Sequence, residues 1–551
     1  MFSKRSLLKQ YRPYFSQIVG LVFITFVLDL ICQGIEVLTP LLSKLVFDVA
    51  LPQRDKVAFF AAIAGYFVFE MALLVIGNVS RWLDSLIAQL MFRRIKVRVI
   101  ESIQTMNFLD FRAQTVGELL TVLETDSTRV SSFLVFWLPG MILNVMKLVV
   151  ISGIGYMTSP WTLLVLLAMI PFYFFELKTF NGPILKTENE SLVAQEDLSE
   201  SLQIWLTNQD YYRVNFRKNF SISRIIQRLN RSFLLSRRAE LLGAISVGSS
   251  SVGVFGLKLV VASGLGLGVI SHKISVGEFV ALELLFVQVG GPLRAILEKI
   301  RSARVSFLSL ARVQRLTDLK REPTGPSERA SSDELTGELG LEVRDLVLSF
   351  DGIIEIFKPV SFTCGPGRPV AVVGPSGVGK SSLVYSLLGL YPATRGSIRY
   401  GKKLLGEWYL ENLRSQIAWI SQSPLIPRVT LREYLSQESG ETDDSVVDAL
   451  RIVGLRAWFE RLGSGLETVL GGEVSPSGGE KQRLALAKAI VRKSRVFIFD
   501  EPTASLDEAS ARQIKDILFE ISRGASLLVV THDKEWVSEF KEVCFLQGNQ
   551  T

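Results

Sequence analysis

Between positions 350 and 532 the chain sets out, in order, Phe350, Gly374-Pro-Ser-Gly-Val-Gly-Lys-Ser381, Gln422, Ser477-Gly-Gly-Glu480, Asp500-Glu501 and His532. Glycines 374, 377 and 379 let a loop turn its backbone N–H groups inward, the arrangement that cradles phosphates. Pro375, Ser376, Val378 and Ser382 complete the loop and its exit into a helix. Lys380 can reach β- and γ-phosphates, and the Ser381 hydroxyl suits Mg²⁺. A phosphate loop alone says only that a nucleotide is bound. The Ser477-Gly478-Gly479-Glu480 element is more specific, because it shortly precedes an apolar strand, Val496-Phe-Ile-Phe499, ending in Asp500-Glu501. It opens a helix whose N-terminal N–H groups and dipole favour an anion.

Strands and helices must hold these residues. Pro369-Val-Ala-Val-Val-Gly374 reads as a buried strand feeding the loop, with Ser381–Leu390 as the helix after it. Val496–Phe499 and Leu527–Val530 read as further buried parallel strands, apolar on both faces. The segment from Arg321 to Asp333 is rich in Pro, Ser and charge and reads as a linker. The division expected is therefore 1–320, a linker at 321–339, and 340–551.

The first part has a different composition. The chain of 551 residues is 48% hydrophobic, with a mean hydropathy of +0.31. Residues 340–551 hold 25 Lys+Arg against 26 Asp+Glu, which leaves 36 against 28 before them out of totals of 61 and 54. The basic surplus thus flanks apolar stretches, as the inner flanks of membrane helices do, and is not read as a nucleic-acid footprint. Six spans are expected, near Gln17–Leu38, Val57–Ile76, Phe133–Tyr156, Trp161–Phe175, Leu241–Ile270 and Val276–Val289. A helix needs about 20 apolar residues to cross a hydrocarbon core of ~30 Å. The basic segments from Asn78 to Arg129 and from Lys178 to Arg238 fall inside by the positive-inside rule, and an even count puts both termini there too. No signal peptide is read at the start, and Cys32, Cys364 and Cys544 form neither a disulfide framework nor a zinc site.

Residues 341–551 resemble the nucleotide-binding domain of ABC transporters, and residues 1–320 resemble the six-helix membrane domain of exporter-type members. The membrane half of that resemblance rests on Thr115-Val-Gly-Glu-Leu-Leu-Thr-Val-Leu-Glu-Thr-Asp126, Gly291-Pro-Leu-Arg-Ala-Ile, Ala303-Arg-Val-Ser and Ala311-Arg-Val. The fold class implied is an α-helical transmembrane domain of six long helices, followed by an α/β phosphate-loop ATPase domain with a helical subdomain.

The resemblance also implies roles. Phe350 would stack on adenine, and Gln422 would touch Mg²⁺ and sense the membrane domain. Asp500 would hold the Mg²⁺ shell, Glu501 would be the general base that polarises water, and His532 would contact the γ-phosphate. Asp507, in Ser505-Leu-Asp507, would face the opposite subunit. Ser477–Glu480 would bind the γ-phosphate held by a second copy, so a dimer of chains is expected, with a heterodimer as the variant. Two departures stand out: Pro476 where the family usually has Leu, and Glu480 where Gln is common. Proline is tolerated in a first helical turn. Turns near Asn107–Gln114 and Asn208–Phe216 suit docking to an ATPase domain.

ATP and Mg²⁺ are the cofactors implied. The function implied is ATP-driven export by alternating access, from the bacterial cytoplasmic membrane, with membrane lipid as surroundings. Alternatives are a lipid flippase or an importer of the same architecture, or a membrane-anchored regulatory ATPase. Polar residues inside spans are functional candidates. Asp29, Gln33 and Glu36 share one helix face, and with Glu70 and Glu283 they are the expected lining of a substrate cavity, its mixed charge favouring a peptide or zwitterion. Gly290-Gly-Pro292 is expected to kink or loosen the last helix.

Overall fold

The computed structural model describes residues 18–158, 161–215, 218–319, 321–322, 339–349, 354–436, 441–472, 474–503 and 508–548. Most of the expected linker, with Phe350 and Asp507, lies outside the described residues. Two compact units emerge, one of Met1–Met106 with Phe111–Leu319, the other of Asn107–Asp110 with Lys320–Thr551.

The first unit is built from long helices: α1 (Val19–Leu45), α2 (Lys56–Thr105), α3 (Leu138–Thr158), α4 (Trp161–Thr207), α5 (Lys218–Ile270) and α6 (Val276–Thr317). Among the described residues five helical stretches are long and apolar enough to cross a membrane, with mean hydropathies between 1.6 and 2.2. The expected fourth span, Trp161–Phe175, opens α4. Large apolar side chains point outward all along these helices, Val57, Phe60, Phe67, Phe255 and Val260 among them, each more than 60% exposed. Water would penalise such a surface, whereas hydrocarbon would not.

The sequence also marks where these helices start. Asp55 caps α2 by accepting from the backbone N–H groups of Val57 and Ala58, at 2.9 and 3.1 Å. Ser275 and Glu278 form a capping box at the start of α6. Asp48, in the π-helical turn after α1, accepts from the Ser275 hydroxyl at 2.6 Å and the Gly277 N–H at 2.8 Å. The kink expected at Gly290-Gly-Pro292 does not break α6, which stays one helix through Pro292. The missing N–H of Pro292 costs one backbone bond, too little to end a helix held by its neighbours. Two apolar clusters hold the unit together, one around Ile87, Met91, Val130 and Val313, the other around Ile151, Met169, Tyr173 and Leu285.

The second unit contains two sheets. Its strands are β1 (Leu341–Val347), β2 (Val360–Cys364), β3 (Val370–Val373), β4 (Arg395–Tyr400), β5 (Lys403–Leu404), β6 (Ile417–Ile420), β7 (Val496–Asp500), β8 (Ser526–Val530) and β9 (Glu542–Phe545). An antiparallel sheet runs β2-β1-β4-β5, and a parallel sheet runs β6-β7-β8-β3-β9. All five residues of β8 are buried, the pattern of a strand covered on both faces. The helices used below are α7 (Lys380–Leu387), α8 (Asp443–Ile452), α9 (Gly478–Val491), α10 (Glu508–Ser522) and α11 (Lys534–Val537). Helices α8 and α9 pack with Leu431–Ser436 into a helical subdomain around Leu435, Val446, Leu450, Leu484 and Leu486.

Candidate functional site

The parallel sheet brings the scattered polar residues together. Strands β3, β6, β7 and β8 all run the same way. The phosphate loop, Gln422, Asp500-Glu501 and His532 therefore emerge at the same, C-terminal ends of their strands. Ligands bind in that position in open α/β sheets.

The loop from Gly374 to Gly379 joins β3 to α7. Gly377 and Gly379 take φ of +80° and +101°, a region that side-chain-bearing residues rarely enter. A Cβ on Gly379 would also stand 2.6 Å from Cγ2 of Ile356. Pro375 and Ser376 are exposed on the loop, Val378 is buried beneath it, and Ser382 is half-buried in the first turn of α7. The Lys380 ammonium folds back over the rim, donating to the carbonyls of Gly374 at 2.8 Å and Pro375 at 3.4 Å.

Ser381 Oγ donates to Asp500 Oδ2 at 3.4 Å. Burial raises the Asp500 carboxyl above the usual carboxylate range, and the neighbouring Glu501 charge adds to this. The Ser381 hydrogen bond and the Lys380 charge oppose it without cancelling it. A half-buried acid beside a second acid and a hydroxyl is a donor set fit for a hard divalent cation. Ser381, Asp500 and Gln422 are the residues that would hold Mg²⁺ there.

Glu501 is the centre of the cluster. Gln422 Nε2 donates to its Oε2 at 3.2 Å, and His532 Nδ1 lies 3.2 Å from its Oε1. Its backbone is left-handed, φ +52°, and its N–H donates to Val530 O at 2.9 Å. A non-glycine residue held there carries local strain, which functional sites often store. His532 extends outward, its side chain 70% exposed. The next residue, Asp533, caps α11 through its bonds to the N–H groups of Glu535 and Trp536, both 3.1 Å. Lys515 pairs with Asp533 at 2.6 Å and holds its carboxyl below the usual range.

The Ser-Gly-Gly-Glu element begins α9 with a capping box. The Glu480 N–H donates to Ser477 Oγ at 3.4 Å, and Ser477 N–H donates to Glu480 Oε2 at 2.7 Å. Pro476 was expected in the first turn but lies just before the cap residue, buried and outside the helix. Ser477 and Gly478 are exposed, and Gly479 and Glu480 half-buried, at the start of the helix.

Sequence reasoning missed Gln482. It is 4% exposed, and its Nε2 donates to Gln422 O at 3.2 Å. The available signal was a polar residue on the apolar stripe Gln482, Leu486, Ala489 of an otherwise amphipathic helix. The turn expected near Asn107–Gln114 contains Phe108, whose ring lies 5.6 Å from those of Tyr385 and Tyr391 within the second unit. The turn near Asn208–Phe216 contains a short helix, Gln209–Asn215.

The candidate cavity residues of the first unit make contacts across several helices. Asp29 accepts from Ser80 of α2 at 2.6 Å. Glu36 pairs with Lys147 of α3 at 2.5 Å, and Gln288 of α6 donates to the Glu36 carbonyl at 2.8 Å. Glu283 pairs with Lys258 of α5 at 3.2 Å. Gln33 has a buried Oε1 without a hydrogen-bond partner among the described residues. Glu70 is exposed on α2.

An apolar helical unit joined to a phosphate-loop ATPase defines a membrane protein driven by nucleotide. Residues 22–293 match the family model for the ABC transporter transmembrane region and residues 357–504 the one for the ABC transporter. The chain belongs to the ABC transporter family: it is a half-transporter with one multi-pass membrane domain and one nucleotide-binding domain, and it couples ATP hydrolysis to transport.

Among curated proteins, it is 26% identical to a multidrug resistance ABC transporter ATP-binding and permease protein of Lactococcus lactis, over 83% of this chain and 78% of that one. It is 24% identical to a cyclolysin secretion/processing ATP-binding protein of Bordetella pertussis, over 95% and 73%. It is 30% identical to an ATP-dependent lipid A-core flippase of Burkholderia pseudomallei, over 51% and 47%. The fold matches a bacterial Atm1-family ABC exporter with ATP bound, at TM-score 0.86 and 19% identity, over 96% of this chain and 94% of that one.

Proposed function

We propose that this chain is an ATP-driven exporter of an amphiphilic or peptide-like molecule, working by alternating access as a dimer of two copies. The single observation that carries the hydrolytic part is the contact of Glu501 with both Gln422 and His532 beside the phosphate loop. The relatives named for multidrug resistance, cyclolysin secretion and lipid A-core flipping support an outward-moving, amphiphilic cargo. Residues 1–320 would form the membrane domain, 321–339 the linker and 340–551 the ATPase domain. The ATPase domain and both termini would lie in the cytoplasm, with membrane lipid around the helices.

Each step falls to particular residues. The loop 374–382 and Lys380 hold and orient the phosphates, and Phe350 stacks on adenine. Mg²⁺, held by Ser381, Asp500 and Gln422, would neutralise charge between the β- and γ-phosphates. Glu501 accepts a proton from the attacking water, its carboxylate aimed by the Gln422 amide and by His532, which also contacts the γ-phosphate. Each chain has one phosphate loop and one Ser477–Glu480 cap, so a cap on one copy completes the site on the other, with Asp507 facing across. Two nucleotides would then close the pair. Asp29, Gln33, Glu36, Glu70 and Glu283 remain the candidates for contact with cargo.

The test is ATP hydrolysis in lipid nanodiscs, wild type beside Glu501→Gln, against a panel of peptides, lipids and amphiphilic drugs. Glu501-dependent turnover stimulated by one class supports the reading. Wild-type turnover in the variant removes Glu501 as base.

A further inference from the structure

One buried polar side chain near the site has no part in the scheme above. Gln482 lies on the face of α9 that carries Leu486 and Ala489, and all three are nearly inaccessible, at 4%, 1% and 4%. An amide on an apolar stripe is costly unless it is bonded. Among the described residues Gln482 has one bond, from Nε2 to the backbone carbonyl of Gln422 at 3.2 Å. Its Oε1 is buried with no hydrogen-bond partner among the described residues. The residue it grips lies two positions past the end of β6, beyond the sheet ladder. That same residue's side chain donates to Glu501 Oε2 at 3.2 Å. A continuous path therefore leads from α9 through Gln482 to the Gln422 backbone, from the Gln422 amide to Glu501, and on to His532.

We propose that Gln482 is a positioning residue for hydrolysis: from α9 it sets the Gln422 backbone, and so fixes where the Gln422 amide meets Glu501. The proposal rests on Glu501 being the base. It adds a link within one chain between the two half-sites, because α9 also begins with Ser477, Gly478 and Gly479. When the first turn of α9 engages a phosphate, the shift in that helix is passed by one hydrogen bond to the residue that aims the base. Gln482 touches neither nucleotide nor water in this scheme and acts only through Gln422.

The experiment is a double-mutant cycle on the full-length protein in nanodiscs: Gln482→Met, Gln422→Ala, and both together. Kinetics and binding of a fluorescent ATP analogue are read for each. Gln482→Met keeps volume and helix propensity and removes the donor. It is expected to lower kcat about tenfold and leave ATP binding within about twofold. In the Gln422→Ala background the same change should cost less than about twofold in kcat, because the side chain it acts through is gone.

An equal loss in both backgrounds would mean that Gln482 merely supports the fold, and an unchanged kcat in Gln482→Met would equally overturn the proposal. If the Met variant does not assemble, Gln482→Asn, which keeps the donor but shortens its reach, is put through the same cycle. Glu501→Gln run alongside separates the two claims. Its retained turnover would remove the base, whereas the Gln482–Gln422 coupling is read from the non-additivity alone.

Discussion

His532 Nδ1 and Glu501 Oε1 stand 3.2 Å apart, joining the ends of the neighbouring parallel strands β7 and β8. The pair needs no sequence proximity, since the strand register sets it: Asp500 lies opposite Val530. Each partner then follows its strand's last residues into the same space.

Because the two act as a unit, their losses should not add. His532→Ala is expected to lower kcat by roughly 10²-fold, within the range for a positioned proton-transfer group, with ATP binding retained. In the Glu501→Gln background the same change should have almost no further effect. ATPase assays on the four proteins decide this.

The Asp500 carboxyl has a pH signature. Its value is raised in the folded protein. Its contribution to stability is therefore complete below the unfolded value of about 3.9 and is lost as pH rises through the raised one. Above the unfolded value the half-buried carboxyl therefore weighs against the folded, nucleotide-free protein. Asp500→Asn should raise the melting temperature at pH 7 and flatten its dependence on pH upward from about 4, while abolishing Mg²⁺-dependent hydrolysis. Melting curves without nucleotide, beside an ATPase assay, test both halves.

Gly379→Ala combines a left-handed backbone, φ +101°, with a Cβ 2.6 Å from Ile356 Cγ2. Strain of roughly 1–3 kcal/mol should open the loop, and nucleotide affinity should fall about tenfold or more. Equilibrium binding of a fluorescent ATP analogue measures it.

Glu480 closes the capping box with its own carboxylate, 2.7 Å from the Ser477 N–H. Negative charge then stands at the helix end proposed for the other copy's γ-phosphate. Glu480→Gln keeps an acceptor for the box and removes that charge, so apparent ATP affinity should rise roughly two- to fivefold. A lower KM for ATP in steady-state hydrolysis is the expected readout.

In the membrane domain Lys147 is the more buried partner of Glu36, with side chains 10% and 47% exposed. Lys147→Met strands the carboxylate within a span and should lower the melting temperature by about 2–4 °C. Adding Glu36→Gln should recover most of it, because no unpaired charge remains. Thermal unfolding in nanodiscs distinguishes the three.

The phosphate loop could be read from the residues because its chemistry is backbone chemistry, and glycine spacing reports backbone freedom directly. The spans could be read because hydrocarbon imposes a length. The ion pairs could not: Glu36 and Lys147, or Glu283 and Lys258, were visible singly as polar residues in apolar runs. Which helix lies beside which is decided by packing, not by local pattern. Pro476 shows the same limit at a smaller scale, since the helix start depended on the reciprocal bonds of Ser477 and Glu480 rather than on the proline. Gln482 was hidden because its meaning depends on which loop crosses α9.

The strand order has a consequence for synthesis of the protein. Strand β3, which carries the phosphate loop, lies between β8 and β9, and both are translated after every other strand of that sheet. While the ribosome is still making the helical subdomain, neither β3 nor β6 has its neighbour; β7 then gives β6 a partner, but β3 must wait for β8 and β9. Its pairing closes over long sequence separations, which is intrinsically slow. Nucleotide binding should therefore be among the last properties the nascent chain acquires, and ATP itself would act as a late folding ligand that reports a finished ATPase domain.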